Sequence, residues 1–148
     1  MNYGVNTYGS SQLNATNISS SSTTTAMTGL SVFSHVAISI VVSAVPTGTT
    51  MTLDCYVQTS FDGGTTWVDL AHTQFTTATG SKLVLLQRSP DSLRREAYPA
   101  PRPPASDGAL AGETVLRYQW GDQIRIKYVF AAGDSSGTYT MNSDITAG

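Results

Sequence analysis

The chain has 148 residues, a formal net charge of −2 and only 12% charged side chains, about half the share of an average globular protein. That length fits one domain with a real core and excludes two comfortable ones, while the faintly acidic balance gives no pull toward nucleic acid or anionic membrane. A single cysteine, Cys55, excludes an internal disulfide and a multi-cysteine metal site.

Residues 1–29 carry no charge and are dominated by Asn, Ser, Thr and Gly around a Ser-Thr run at residues 19–25. No Lys or Arg precedes an apolar run, so a secretory signal is not expected, and no stretch approaches a membrane span. The sequons at Asn14 and Asn17 matter only in a eukaryotic secretory pathway. The segment holds too little apolar surface to offset its own ordering. With Tyr3, Val5, Tyr8, Leu13 and Ile18 spread along it, residues 1–29 read as an extended or disordered N-terminal arm, one that orders on a neighbouring subunit with Tyr3, Tyr8 and Leu13 as its candidate contacts, a plain disordered tail being the alternative.

Residues 30–148 read as a single β domain. The β-branched run over 30–45 places Val36, Ile38, Ile40 and Val42 on one face, which predicts a long strand ended by Pro46-Thr47-Gly48-Thr49. Met51, Leu53, Cys55, Val57 and Thr59 then share one parity, with Asp54, Tyr56 and Gln58 on the other. The two strands are expected to be antiparallel neighbours, with Cys55 as core filler. Asp62-Gly63-Gly64 supplies the positive φ angles of a two-residue hairpin turn, and Trp67, Val68 and Leu70 begin the return strand. Thr73 to Thr77 reads as a short strand, and residues 81–87 as the next one.

Residues 88–112 break the pattern. They hold five of the six prolines and four arginines, Arg88, Arg94, Arg95 and Arg102. An excursion of that length is unusual in a compact domain unless it serves a contact, and proline favours an extended path. Arg94, Arg95, Tyr98 and Arg102 are the candidate partner contacts here, as a polar clamp on an acidic neighbour. Two strands divided at Gly121 follow, the second alternating Ile124, Ile126, Tyr128 and Phe130 with Arg125, Lys127 and Val129. A turn at residues 133–137 and a closing strand over 138–145 complete the chain. Seven or eight strands without a convincing helix predict an all-β fold, an antiparallel β-sandwich or a jelly-roll-like barrel, with an N-terminal arm and a long proline-rich loop.

Candidate chemistry is sparse. Asp54, Asp62 and Asp69 read as solvated strand-face and turn carboxylates, and His35 and His72 lie outside any metal-ligand spacing, so no catalytic residue, metal or cofactor is expected. The run Ser60-Phe61-Asp62-Gly63-Gly64-Thr65-Thr66-Trp67 fits Ser-x-Asp-x-Gly-x-Thr-Trp, the Asp-box, and resembles the turn that recurs in sialidases and related propellers. There the motif is a staple, implying that Ser60, Asp62, Gly63, Gly64, Thr66 and Trp67 fix a turn; propellers carry one copy per blade, and this chain has one in all.

Three pieces, Ser-Ala-Val-Pro-Thr-Gly-Thr-Thr-Met-Thr-Leu-Asp at 43–54, Tyr-Val-Gln-Thr-Ser-Phe-Asp-Gly-Gly-Thr-Thr-Trp-Val-Asp-Leu-Ala at 56–71 and Gly-Asp-Gln-Ile-Arg-Ile-Lys-Tyr-Val-Phe at 121–130, are together similar to small virion structural proteins of tailed bacteriophages. The resemblance covers about residues 30–88 and 113–146. It implies a non-enzymatic sandwich in the particle, assembled in the bacterial cytoplasm: a head decoration or cement subunit that binds itself and the major capsid protein, with a tail, neck or adaptor subunit as the alternative. A carbohydrate-binding module for host attachment is the reading of another class, with Tyr56, Trp67, Tyr118 and Trp120 as its aromatic candidates.

Overall fold

The computed structural model describes residues 8–87, 105–116 and 120–148. The chain folds as β1 (Tyr8–Ile18), β2 (Ser22–Thr23), a 3-10 turn (Leu30–Val32), β3 (His35–Ala44), β4 (Thr52–Ser60), β5 (Val68–Phe75), β6 (Gly80–Gln87), β7 (Ala105–Ser106), β8 (Thr114–Val115), β9 (Gln123–Ala131) and β10 (Tyr139–Ala147). Two antiparallel sheets pack face to face, so the fold is an all-β sandwich. Sheet I has the order β1-β10-β3-β6, and sheet II the order β2-β9-β4-β5-β7, with β8 also on β5.

The period-two pattern explains the core. Val36, Ile38, Ile40 and Val42 of β3 and Met141 and Ile145 of β10 face Leu53, Cys55 and Val57 of β4 and Ile124 and Ile126 of β9, all buried. Each such side chain contributes about 1.5–3 kcal/mol by leaving water. The Cys55 thiol meets the Met141 sulfur across the sheets at 3.8 Å, and burial pushes its pKa up to about 12, so it is core filler as expected.

Two expectations change. The first two core strands, β3 and β4, are not neighbours: β3 lies between β10 and β6, and β4 between β9 and β5. The connection after Pro46 crosses between sheets and is tied down by Asp134, whose carboxylate accepts the amides of Thr49 and Thr50 at 2.9 and 2.8 Å and both their hydroxyls. Apolar parity records which face is buried, and both strands satisfy it from opposite sides of one core.

The second change concerns residues 8–29, expected as an arm on another subunit. They lie on this chain's own sandwich. β1 pairs with β10, β2 pairs with β9, and Met27 bridges Ile124. Ile18, Met27 and Leu30 are buried, and the Trp120 indole donates to the Leu30 carbonyl at 3.0 Å. The strand expected from residue 30 starts at His35, because Gly29 takes a left-handed φ of 78° and Leu30 turns inward.

Candidate functional site

Three regions carry the residues singled out by sequence, and they differ in what they leave available. The first is the connection from β4 to β5, residues 61–67, which is longer than a two-residue turn. Asp62 organises it. Its carboxylate accepts the Ser60 hydroxyl at 2.8 Å, the amides of Thr65 and Thr66 at 3.1 and 2.8 Å and the Thr66 hydroxyl at 2.6 Å. These donors, the Thr66 hydroxyl foremost, hold the Asp62 pKa down at about 2. Ser60 also accepts the Gly64 amide, and the Trp67 indole donates back to the Gly64 carbonyl at 3.0 Å. Gly63 and Gly64 take φ angles of 71° and 92°. At Gly64 a Cβ would also stand 2.8 Å from the Gln123 side-chain oxygen. Every predicted member of the staple is thus used in holding the turn.

The second region is the outer face of sheet II. Asp54, Tyr56 and Gln58 of β4, Asp69 and His72 of the next strand and Arg125 and Lys127 of β9 meet there under residues 105–116, which fold back as a strap. Asp69, expected in solvent, is fully buried. It accepts the amides of Gly108, Ala109 and Leu110 at 3.0, 2.9 and 3.0 Å and the Gln58 amide group at 2.8 Å. A buried carboxylate with four donors is compensated and rigid.

Around it the strap is tied at both ends. Asp107 accepts from Gln58 at 2.6 Å and from Lys127 at 2.9 Å, and the Gln58 contact leads in holding its pKa below the ordinary carboxylate value. Glu113 accepts the Gln74 amide at 2.9 Å and Lys82 at 3.1 Å, and these bonds hold it low as well. Its left-handed φ of 54° costs about 1 kcal/mol, which those bonds offset.

His72, also buried, sits between strap and sheet: Nδ1 is 2.8 Å from the Leu110 carbonyl, Nε2 is 2.8 Å from Asp54, and the ring stacks on Tyr56 at 4.1 Å. The Asp54–His72 pair has the outline of an acid–base dyad, yet both nitrogens are occupied by the fold. Among the described residues no group of three His, Cys, Asp or Glu side chains could hold a metal ion. What this face does chemically is fasten the strap.

Of the aromatic candidates, Trp120 and Tyr56 are buried, and Trp67 is half-buried with the Arg125 guanidinium 4.1 Å above its ring. Tyr118 lies outside the described residues, as do Tyr3, Arg94, Arg95, Tyr98 and Arg102. Tyr8, still 47% exposed, stacks on Phe33 at 6.0 Å, and Leu13 packs against this chain's own core.

The third region, missed by sequence, is the outer face of sheet I. Its rows run Thr146, Ala37, Leu85; Asp144, Ser39, Leu83; and Asn142, Val41, Ser81. Among the described residues Asp144 is its one carboxylate, His35 lies at its rim, and it holds no Lys or Arg. Leu83 and Leu85 are 63% and 65% exposed. Four strands about 4.8 Å apart and about eight residues long make a face of roughly 500 Å². The signal was present in sequence as the outward parity of β3, β6 and β10, which carries no Lys or Arg and, among these strands, Asp144 alone as a carboxylate, but it gains meaning only once those strands are neighbours.

Among the described residues no helix is long and apolar enough to cross a membrane. Comparison with protein-family models, with curated proteins and with solved structures finds no match to this chain.

Proposed function

We propose that this chain is a non-enzymatic structural subunit of a phage virion, a head decoration or cement protein that binds the major capsid protein and other copies of itself. The observation that carries the reading is the outer face of sheet I: rich in small and hydroxyl side chains, with two exposed leucines and, among the described residues, a single carboxylate. A face of that kind suits broad docking onto a protein surface, where charged groups would have to be desolvated. Its area is somewhat below the roughly 800 Å² per partner of a standard interface. Such modest contacts suffice when many copies bind a symmetric shell together. The sequence resemblance to phage virion proteins supplies the setting.

The test is the copy number and position of the chain in purified particles of the phage that encodes it, by quantitative mass spectrometry and electron microscopy. Hundreds of copies over the head are the expected result. About 6 or 12 at one vertex, the symmetry of a portal or neck, would move the chain to the tail or neck, and absence from the particle would remove the proposal.

A further inference from the structure

A sandwich of two open sheets has four edges, and three of them here are blunted. In sheet II, β2 and β7 are two-residue strands, with β8 sharing the β5 edge. In sheet I, β1 is broken by register shifts between Ser11 and Leu13 and between Leu13 and Thr16, with Ala15 at a φ of 45°. Short strands and bulges are the devices by which sheets avoid unwanted pairing. β6 has neither. It runs eight residues in unbroken register with β3, from Gly80 opposite Val42 to Gln87 opposite His35. It contains no proline, and among the described residues no backbone hydrogen bond outside the sheet ladders reaches it.

We propose that β6 pairs antiparallel with β6 of a second copy about a two-fold axis through Val84, joining two four-stranded sheets into one of eight. This rests on the reading of the chain as a self-associating subunit and names the surface it uses.

The residues of β6 select both the occupant and the register. Its outward side chains, Ser81, Leu83, Leu85 and Gln87, are all neutral, so a second copy brings no like charge against them. Centred on Val84, each Leu83 stands opposite a Leu85, building a four-leucine cluster on the outer face from side chains that are exposed in the single subunit. Lys82, the one charge on the strand, then faces Leu86 and stays bound to its own Glu113 at 3.1 Å. Centring on Lys82 would set two ammonium groups against each other. Eight residues a side are fewer than the 20–30 of a standard interface, so the pairing belongs to the weak class, with a Kd of roughly 10–100 μM. A shell that holds neighbouring copies close converts that affinity into stable contact.

Sedimentation equilibrium of the purified full chain tests it, with three proteins compared. Wild type is expected to dimerise in that range. Leu83→Lys combined with Leu85→Lys sets like charges opposite and weakens dimerisation at least about tenfold, with an unchanged melting curve because both sites are exposed. Leu83→Glu combined with Leu85→Lys sets opposite charges against each other in the same register, and retains the dimer with an affinity that falls as salt rises. A wild type that stays monomeric to about 1 mM, well above the expected Kd, overturns the inference, as does a dimer indifferent to the double lysine variant. The virion reading has its own test: a chain that dimerises through β6 but is absent from particles defeats that reading alone.

Discussion

The outer faces of the two sheets are each built from alternate residues of long strands, yet they end in opposite states. Sheet II places Asp54, Gln58, Asp69, His72, Arg125 and Lys127 outward and then covers them with residues 105–116, so that its polar groups bond one another and the strap. Sheet I places Ala37, Ser39, Val41, Leu83 and Leu85 outward, with Asp144 the one carboxylate among the described residues, none of which covers Leu83 or Leu85. Charged groups on a sheet face are therefore no sign of availability, and their absence is no sign of burial. In this chain the charged face is fastened under the strap, and the neutral face is the one left exposed.

The comparison breaks most severely if residues 8–29 are dispensable. Deleting residues 1–29 removes β1 from β10 and β2 from β9 and uncovers the core that Ile18 and Met27 complete. The expected outcome is loss of a cooperative thermal transition; a folded truncated chain would show the segment to be an arm after all.

Next in size is the strap. Asp69→Ala leaves three strap amides without their acceptor and the Gln58 amide group with Asp107 alone, at a cost of about 3–5 kcal/mol in urea unfolding. A loss under about 1 kcal/mol, the scale of an ordinary surface change, would mean that the strap is held by something else.

A smaller effect is expected at the turn. Asp62→Ala should lower Tm by about 3–6 °C, with no change in any docking property. Acid gives the same test without mutation. The folded Asp62 pKa of about 2 lies below its ordinary 3.8, so its contribution is complete above about pH 4 and is lost as pH falls through 2. Asp107 and Glu113 shift the same way and add to it. The urea midpoint should therefore drop between pH 5 and pH 2.5, and drop less in Asp62→Ala. Smallest for stability is the open face: Ser39→Lys, central on sheet I, should change unfolding by less than about 0.5 kcal/mol while reducing attachment to particles.

Much of this was legible in the sequence. The alternation in β3, β4, β9 and β10 marked those strands, the apolar run at 83–86 marked β6 without naming its outward side, and the Asp62 motif marked the staple. β1 was not legible because its bulges disturb the period: Tyr8, Ser10, Leu13, Thr16 and Ile18 face one way at spacings that no single parity joins. Asp69 was misread because a carboxylate on an outward parity looks the same whether solvent or a strap lies above it. Here the strap arrives some 40 positions later in the chain. The pairing of β3 with β6, which creates the open face, is equally non-local, and nothing in the parity of either strand names its neighbour.

The most direct measurement is hydroxyl-radical footprinting of the free subunit against the particle-bound one. Leu83, Leu85 and Val41 on the open face should lose reactivity on binding, while Phe61 at the turn and Val115 on the strap, 57% and 50% exposed in the single subunit, should keep theirs. Protection of Phe61 and Val115 with Leu83 and Leu85 still reactive would contradict the assignment of the two faces.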